Sequence, residues 1–470
     1  MTILLYNSLT KKKEEFIPLD SSGKIVKMYT CGVTVYDRCH IGHARSLYVF
    51  DVIRRYLQFR GFEVRFVRNI TDVDDKIINK AVELKKNSDE VAEENIKSYY
   101  QDLKSLGVDP ADIEPRATDN IDGMIKHIEG LIARDYAYTI DGDVYFNVRK
   151  FEGYGKLSGQ TIDKMMEAVR IEKDSKKKDP LDFALWKSSK ENEPSWESPW
   201  GPGRPGWHIE CSCMSMKHLN TETLDIHAGG RDLIFPHHEN EIAQSEALTH
   251  KPFARYWIHH GLLTINAQKM AKSLGNFITV EDALKKYGVD DLKIFFLFSH
   301  YASPIDFTDE KIAEAHKALQ KFDILFWKAH EILKDKHVDL PIQTDFIKEH
   351  KNRFLSAMDD DFNTPEALAS LFDFISATNK FIEEARQDKN YLGVIYCAVD
   401  TIESFARHIF GLFSKEKAVE LTDEEQTLLE ERKTARSQKN FKRSDELREL
   451  LKQKGIAVED GREGQTWRRI

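Results

Sequence analysis

The stretch Thr30-Cys31-Gly32-Val33-Thr34-Val35-Tyr36-Asp37-Arg38-Cys39-His40-Ile41-Gly42-His43 limits the possible folds more than any other part of the chain. It follows a β-looking run, Ile25 to Tyr29, and opens a segment with Leu47, Phe50, Ile53 and Leu57 at helical spacing. Gly61 and a second β-rich run, Glu63 to Arg68, come next. That order predicts a β-loop-α-β unit. In such a unit a ligand settles at the carboxyl end of the strand, where the first helix offers free backbone N–H groups and the positive end of its dipole, so an anion belongs there. His40 and His43, three apart at the helix start, would face one side and could donate hydrogen bonds to phosphate oxygens, while Gly42 lets a nucleotide come close. Two histidines can also merely decorate a helix end, so the rest of the chain must decide.

With 470 residues there is room for two to four domains. The net charge of −9, from 69 basic and 78 acidic residues, argues against a generally basic nucleic-acid coat, so an RNA partner must be met by local patches. One such patch closes the chain: residues 431–470 hold twelve Lys/Arg against seven Asp/Glu. The five cysteines (Cys31, Cys39, Cys211, Cys213, Cys397) are an odd set without a small-domain framework, which suits a reducing compartment and points to metal or packing roles. The N-terminus turns polar too soon for a signal peptide, and no apolar run approaches membrane-spanning length, so a cytoplasmic protein with no membrane partner is expected.

Along the chain, Asn69 to Lys76 closes the second strand with acidic residues that mostly read as helix caps, ahead of one polar helix reaching about Gly107. A Pro- and Asp-containing boundary falls at Asp109 to Thr118. A helix follows, and then a hairpin with Asp141-Gly142 at its turn, which together look like a modest insertion. The Lys176-Lys177-Lys178 run reads as a solvated loop. Pro194 to Gly206 reads as a long irregular loop delivering Trp207-His208-Ile209-Glu210-Cys211. Further on, Pro236 suits a first helical turn, which would put His237 and Glu241 four apart on one face as a two-ligand arm for a metal. Cys31 and Cys211, both expected at strand ends, would complete a tetrahedral set with them, although a His–Glu pair at this spacing is also a common surface contact. Lys269 and Lys272, with Ser273 and Gly275 beside them, could clamp a polyphosphate or form a plain surface turn. From Ile312 the apolar spacing is helical; Thr364-Pro365 is expected to cap another helix and a third to run from about Tyr391 to Phe413, making a bundle. The acidic stretch Thr422 to Glu431 reads as a link to a last small basic module ending in Trp467-Arg468-Arg469-Ile470.

Taken together, His40-Ile41-Gly42-His43 and Lys269-Met270-Ala271-Lys272-Ser273 resemble the two signature motifs of class I aminoacyl-tRNA synthetases. Thr30 to Arg45, Asn69 to Lys76, Gly206 to Ser212, Phe235 to Glu241, Glu459-Asp460-Gly461 and Thr466 to Arg469 narrow the resemblance to the cysteinyl-tRNA synthetases of bacterial type, along essentially the whole chain and in order. This implies an α/β fold: a Rossmann-type doubly wound parallel sheet with an insertion, then an α-helical bundle and a small mixed C-terminal anticodon-binding domain. The expected boundaries are 1–118 and 206–255 for the two halves of the catalytic domain and 119–205 for the connective insertion. They continue with 256–310 for the stem-contact region with the lysine loop, 311–415 for the bundle and 416–470 for the anticodon-binding domain.

The same resemblance implies zinc, one ion per chain, on Cys31, Cys211, His237 and Glu241. It implies ATP, as its Mg²⁺ complex, on His40, Gly42, His43 and Lys272 with Gly230 and Asp232 at the ribose or adenosine side, and catalysis by His40, His43, Lys269 and Lys272. Thr71, Trp207 and His227 would line the amino-acid pocket, and Arg436, Asp445 and Asp460 would read anticodon bases. The expected reaction is ligation of L-cysteine to tRNA(Cys) through cysteinyl-adenylate, by a monomer, with the metal selecting the substrate thiolate and no separate editing domain. The family usually has Ser where this chain has Ala271, for which a modest effect on ATP use is expected. The rival readings are a cysteine ligase acting on a small amino-sugar acceptor, which would not need the basic C-terminal module, and a noncatalytic RNA-binding paralogue, which would be expected to have lost signature residues. A zinc hydrolase fits least, since four protein ligands leave no obvious site for an activated water unless the shell expands.

Overall fold

The computed structural model describes residues 2–168, 176–191, 193–270, 274–338, 340–413, 422–461 and 464–469. Two short antiparallel strands, β1 (Leu4–Asn7) and β2 (Lys12–Glu15), precede β3 (Ile25–Thr30), α1 (Ile41–Phe59) and β4 (Glu63–Arg68). The β-loop-α-β reading therefore holds, with Leu47, Phe50, Ile53 and Leu57 all buried on α1. The expected single polar helix is two, α2 (Asp75–Leu84) and α3 (Ser88–Leu106). Lys85 takes a left-handed conformation at φ 54° and Asn87 caps α3 afresh. Asp74 caps α2, and Asp72 instead accepts from Thr118 N and Oγ1.

The insertion is built from α4 (Ile121–Ala133), β5 (Ala137–Ile140), β6 (Asp143–Phe146), α5 (Ile162–Ala168), β7 (Phe183–Ser188) and β8 (Gly203–Pro205). The four strands form an antiparallel sheet, and Ile140 pairs with Asp143 across a two-residue turn in which Asp141 (φ 49°) and Gly142 (φ 84°) are both left-handed, as such a hairpin needs. The chain then returns to the sheet of β3 and β4 through α6 (Trp207–Leu219), β9 (Leu224–Gly230), α7 (Glu239–Thr249) and β10 (Ala254–His260). Strand order in the main sheet is β10-β9-β3-β4, all parallel. Strand β3 thus lies between a sequence neighbour and a strand that follows the insertion.

After β11 (Leu263–Ile265), β12 (Gln268–Lys269), α8 (Val280–Lys286), α9 (Val289–Leu297) and β13 (Ile305–Phe307) comes the bundle. Its helices are α10 (Asp309–Leu333), α11 (Asp345–Asp359), α12 (Thr364–Glu384) and α13 (Tyr391–Ser404). Asn363, rather than Thr364, caps α12; the Thr364 hydroxyl donates to Leu297 O. The α-helical part of α13 stops at Ser404, short of Phe413, with a wider turn over Phe405–Ile409. The bundle packs on the outer face of α1: Tyr56 Oη donates to Asp359 Oδ1 (2.6 Å) and Tyr48 Oη to Phe410 O (2.8 Å). The acidic run at Thr422 is the capped start of α14 (Asp423–Ser437) and not a link, because Thr422 and Glu425 close a capping box. Helix α15 (Phe441–Gln453) and the hairpin of β14 (Ile456–Gly461) and β15 (Gly464–Arg469) complete the described chain. No helix among the described residues is long and apolar enough to cross a membrane.

One buried side chain ties the histidine-bearing helix to the base of the lysine loop. Arg45 is fully buried and donates from Nη1 to Gly261 O (2.8 Å) and Leu262 O (3.0 Å), and from Nη2 to Tyr301 O (3.2 Å) and Ser303 O (2.6 Å). The two carbonyl-bearing segments can converge on it only because Gly261 has no Cβ, which would stand 2.2 Å from Ser303 O. An unsatisfied buried carbonyl costs about 1 to 3 kcal/mol. Arg45→Met is therefore expected to lower the unfolding free energy by about 3 kcal/mol or more; a loss below about 1 kcal/mol in urea titration would count against the clamp.

Candidate active site and metal centre

The carboxyl edge of β3 and β9 collects the chemistry. Leaving β3, the chain places Cys31 and then runs tightly past Asn69, where a Cβ on Gly32 would sit 1.6 Å from Asn69 O. Helix α6 supplies Cys211 from its interior; the expected strand end is a helix, entered directly from Gly206. After the non-helical Phe235 the backbone is helical through His238 into α7, so His237 and Glu241 stand in one continuous helical run and the i,i+4 relation gives His237 Nε2 to Glu241 Oε1 at 2.9 Å. Cys31, Cys211, His237 and Glu241 each offer one ligand atom, all within 4.8 Å of one another.

This pair is no surface contact, since His237 and Glu241 are almost wholly buried. Burial works against every charge here, yet neighbours overcome it at three groups. Glu241 is held well below the usual carboxylate range by His227 and His237, and His237 is pushed up to about 10 by Glu241 and Cys211. Cys211 is brought down to about 6 by hydrogen bonds from Cys31 and His237, whereas burial pushes Cys31 well up. Two sulfurs, one imidazole and one carboxylate thus converge on a single buried point. A soft divalent cation fits this donor set.

Around the four lie groups that set their orientation. His208 Nδ1 meets His237 Nδ1 at 2.9 Å, fixing which nitrogen faces the cluster, and the Trp207 ring stacks on His237 at 4.2 Å. His227 Nε2 meets the other carboxylate oxygen, Glu241 Oε2, at 2.6 Å and stacks on Trp257 at 4.4 Å. Thr71 Oγ1 donates to Glu210 Oε2 (2.7 Å) and receives Asn69 Nδ2 (3.2 Å). Glu210 is fully buried, and that burial raises its carboxyl well above the ordinary range. His208, Glu210 and His238 escaped the sequence reading although each stands inside a quoted motif; a doubled His237-His238 beside an acid was the available signal.

His40 is the N-cap of α1, and its Nδ1 accepts from His43 N (3.2 Å) while His43 Nδ1 accepts from His40 N (3.3 Å). With both Nδ1 atoms used as acceptors, each neutral ring carries its proton on Nε2. The rings stack at 3.7 Å, and a Cβ on Gly42 would sit 2.9 Å from the His40 ring, so the glycine serves this fold-back. Burial lowers His40 to about 4 and His43 well below its usual value. They are neutral donors at pH 7. The segment after the lysine loop is stitched to the same turn by Ile41 N to Ile278 O (3.1 Å) and Val280 N to Cys39 O (2.9 Å). Lys269 is exposed on β12; Ala271, Lys272 and Ser273 lie outside the described residues. Gly230 sits beside Asp232 and His260.

Burial lowers His127 and His260, like His40, to about 4. The unfolded chain binds protons on these rings from about pH 6.5 downward and the folded chain does not until about pH 4, so acidification favours unfolding. Melting temperature should therefore fall steadily between pH 6.5 and 4; a flat profile would count against neutral buried rings.

At the far end of the chain Arg432, whose side chain is fully buried, grips Asp460 through Nη1 (3.0 Å) and Nη2 (2.9 Å), and Arg436 Nη1 reaches Asp460 Oδ2 at 3.0 Å. Arg436 and Asp460 are thus together, and Asp445 is exposed on the neighbouring α15.

Over its full length the chain is 49% identical to the cysteine–tRNA ligase of Persephonella marina, with 100% of each chain covered. The chain belongs to the cysteine–tRNA ligase family. The cysteine–tRNA ligase of Aquifex aeolicus is 45% identical, with 100% of this chain and 99% of that one covered. The family model described as the class I (C) tRNA synthetase catalytic domain matches residues 18–317. A DALR domain matches 353–414, and a cysteinyl-tRNA ligase anticodon binding domain matches 418–468. The fold of this cysteine–tRNA ligase family member is that of class I synthetases: Mycobacterium tuberculosis methionyl-tRNA synthetase superposes with a TM-score of 0.65 at 14% identity, over 83% of this chain and 92% of that one.

Proposed function

We propose that the chain ligates L-cysteine to tRNA(Cys) in two steps with ATP. The carboxylate oxygen of cysteine forms a bond to the α-phosphorus and pyrophosphate leaves; the terminal ribose hydroxyl of the tRNA then attacks the carbonyl and AMP leaves. The observation that carries this reading is the meeting of the histidine pair and the Cys31–Cys211–His237–Glu241 cluster on one sheet edge. His40 and His43 present Nε2–H donors beside the N-terminus of α1, aimed at charge that grows on the phosphate oxygens. Lys269 and Lys272 add positive charge for the leaving pyrophosphate, which departs with Mg²⁺.

Zinc bound by Cys31, Cys211, His237 and Glu241 supplies a soft Lewis acid for the substrate sulfur. The protein's part is to orient. His208 holds His237, Thr71 and Glu210 fix one wall, and Trp207 and His227 bound the pocket. Gly230 and Asp232 take the ribose side. In the last unit Arg436, Asp445 and Asp460 face anticodon bases, with Arg432 as the buried support of Asp460. The division of the chain at 118, 205, 255, 310 and 415, a monomeric state and cytoplasmic residence complete the proposal.

The test is cysteine-dependent ATP–pyrophosphate exchange on purified protein, with zinc content on the same sample and charging of a tRNA(Cys) transcript alongside. Exchange, near-stoichiometric zinc and charging are expected. Exchange without charging would move the reading to a small-acceptor ligase, and absence of exchange in metal-replete protein would defeat it.

A further inference from the structure

We propose that the buried cluster contains a second, adjacent position for a soft divalent cation, formed by Cys31, His227, His238 and Glu241, and that filling it blocks the amino-acid pocket. One ligand atom from each of these four also lies within 4.8 Å of the others. The two sets share Cys31 and Glu241, and the carboxylate is already divided between them. Oε1 is 2.9 Å from His237 Nε2 on the first side, and Oε2 is 2.6 Å from His227 Nε2 on the second. Cys31 Sγ lies 3.3 Å from His238 Nε2, so its thiolate can face both positions as a bridge.

The second set has its own orienting shell. His238 Nδ1 meets His259 Nε2 at 2.8 Å, and His259 Nδ1 meets Ser8 Oγ at 2.8 Å, leaving His238 Nε2 as the ligand atom, just as His208 leaves His237 Nε2. Stacking on Trp257 fixes the His227 ring. The charges agree. A divalent ion in the first position meets three anionic ligands, Cys31, Cys211 and Glu241, and leaves one net negative charge, so a second cation next to it is drawn in. One thiolate and two imidazoles select zinc or cadmium over magnesium or calcium.

The inhibitory role rests on the proposed place of His227 in the cysteine pocket: an ion held by its Nε2 occupies the ground the amino acid needs. The experiment uses the full-length protein. Zinc is titrated by equilibrium dialysis in a chelating buffer that sets free zinc, cadmium-113 NMR is recorded on the cadmium form, and exchange is measured across the same free-zinc range. Two ions per chain are expected, and two cadmium resonances, one from a site with two thiolates and one from a site with a single thiolate. His238→Gln should bind one ion. The apparent KM for cysteine should rise roughly tenfold when free zinc is about ten times the second dissociation constant, by mass action, and this rise should vanish in His238→Gln.

A single ion per chain and a single resonance at saturation would overturn the second position. Two ions in His238→Gln would place the extra ion elsewhere and overturn it as well. Two ions with an unchanged cysteine KM would overturn the inhibition. The cadmium spectrum needs no variant, so misfolding of His238→Gln leaves the test intact. Absence of exchange at one zinc per chain would count against the ligase reading without touching the stoichiometry.

Discussion

His43→Ala is expected to slow cysteine-dependent pyrophosphate exchange by about 10² to 10³-fold, the usual effect of removing one preorganised donor from a developing anion. The loss should fall on kcat, with little change in the KM for cysteine, because His43 belongs to the phosphate side of the site. His40 and His43 hold each other through reciprocal backbone contacts, so the substitution also frees His40 N. His43→Gln separates the two effects. Its amide can put an N–H near the position of Nε2, and part of the rate should return. Equal rates for the wild type and His43→Ala would sink the assignment.

Cys211→Ala should cost the metal and, with it, the choice of substrate. The side chain is buried in α6, and its thiolate is one of the anions that create the demand for a cation. At a free-zinc level that fills only the first position, zinc content should fall well below one per chain. Serine and cysteine differ by one atom, and a pocket working by shape alone separates such isosteres by only about 10²-fold. The ratio of exchange rates with cysteine and serine should therefore collapse to about 100 or less, mostly through loss of the cysteine rate. An unchanged ratio in metal-free protein would show that the cluster does not select the thiol. Treatment of the wild type with a chelator should give the same result without a substitution.

What could be read from residues alone followed the range of the forces involved. The first β-α-β unit was legible because its strand runs are rich in β-branched and aromatic residues and Leu47, Phe50, Ile53 and Leu57 recur at helical spacing, both local patterns. Helix α6 was not, because the polar Glu210, Ser212 and Ser215 are buried among Ile209, Cys211, Cys213 and Met214, so its apolar residues mark no face. In α7 only the His237–Glu241 arm was legible. Glu239, Asn240, Gln244 and Ser245 are polar and yet buried, since their partners come from distant segments. The break at Lys85 left no trace because a lysine in left-handed conformation looks like any other lysine. The four residues that converge at the candidate metal centre were named through spacing joined to resemblance. Their surroundings, His208, Glu210 and His238, needed the fold.

The order of strands β10-β9-β3-β4 has a consequence for synthesis on the ribosome. When β3, α1 and β4 have left the exit tunnel, one edge of β3 has no partner, and it pairs at Met28, Tyr29 and Thr30 only once Ile226, His227 and Ala228 emerge. During that interval an apolar strand destined for the centre of a sheet stays open to neighbouring nascent chains, the kind of edge on which aggregation starts. Cys31 waits equally long for Cys211, His237 and Glu241. Such a chain stands to gain from a holding chaperone, and the proposed metal site is complete only once Glu241 has emerged.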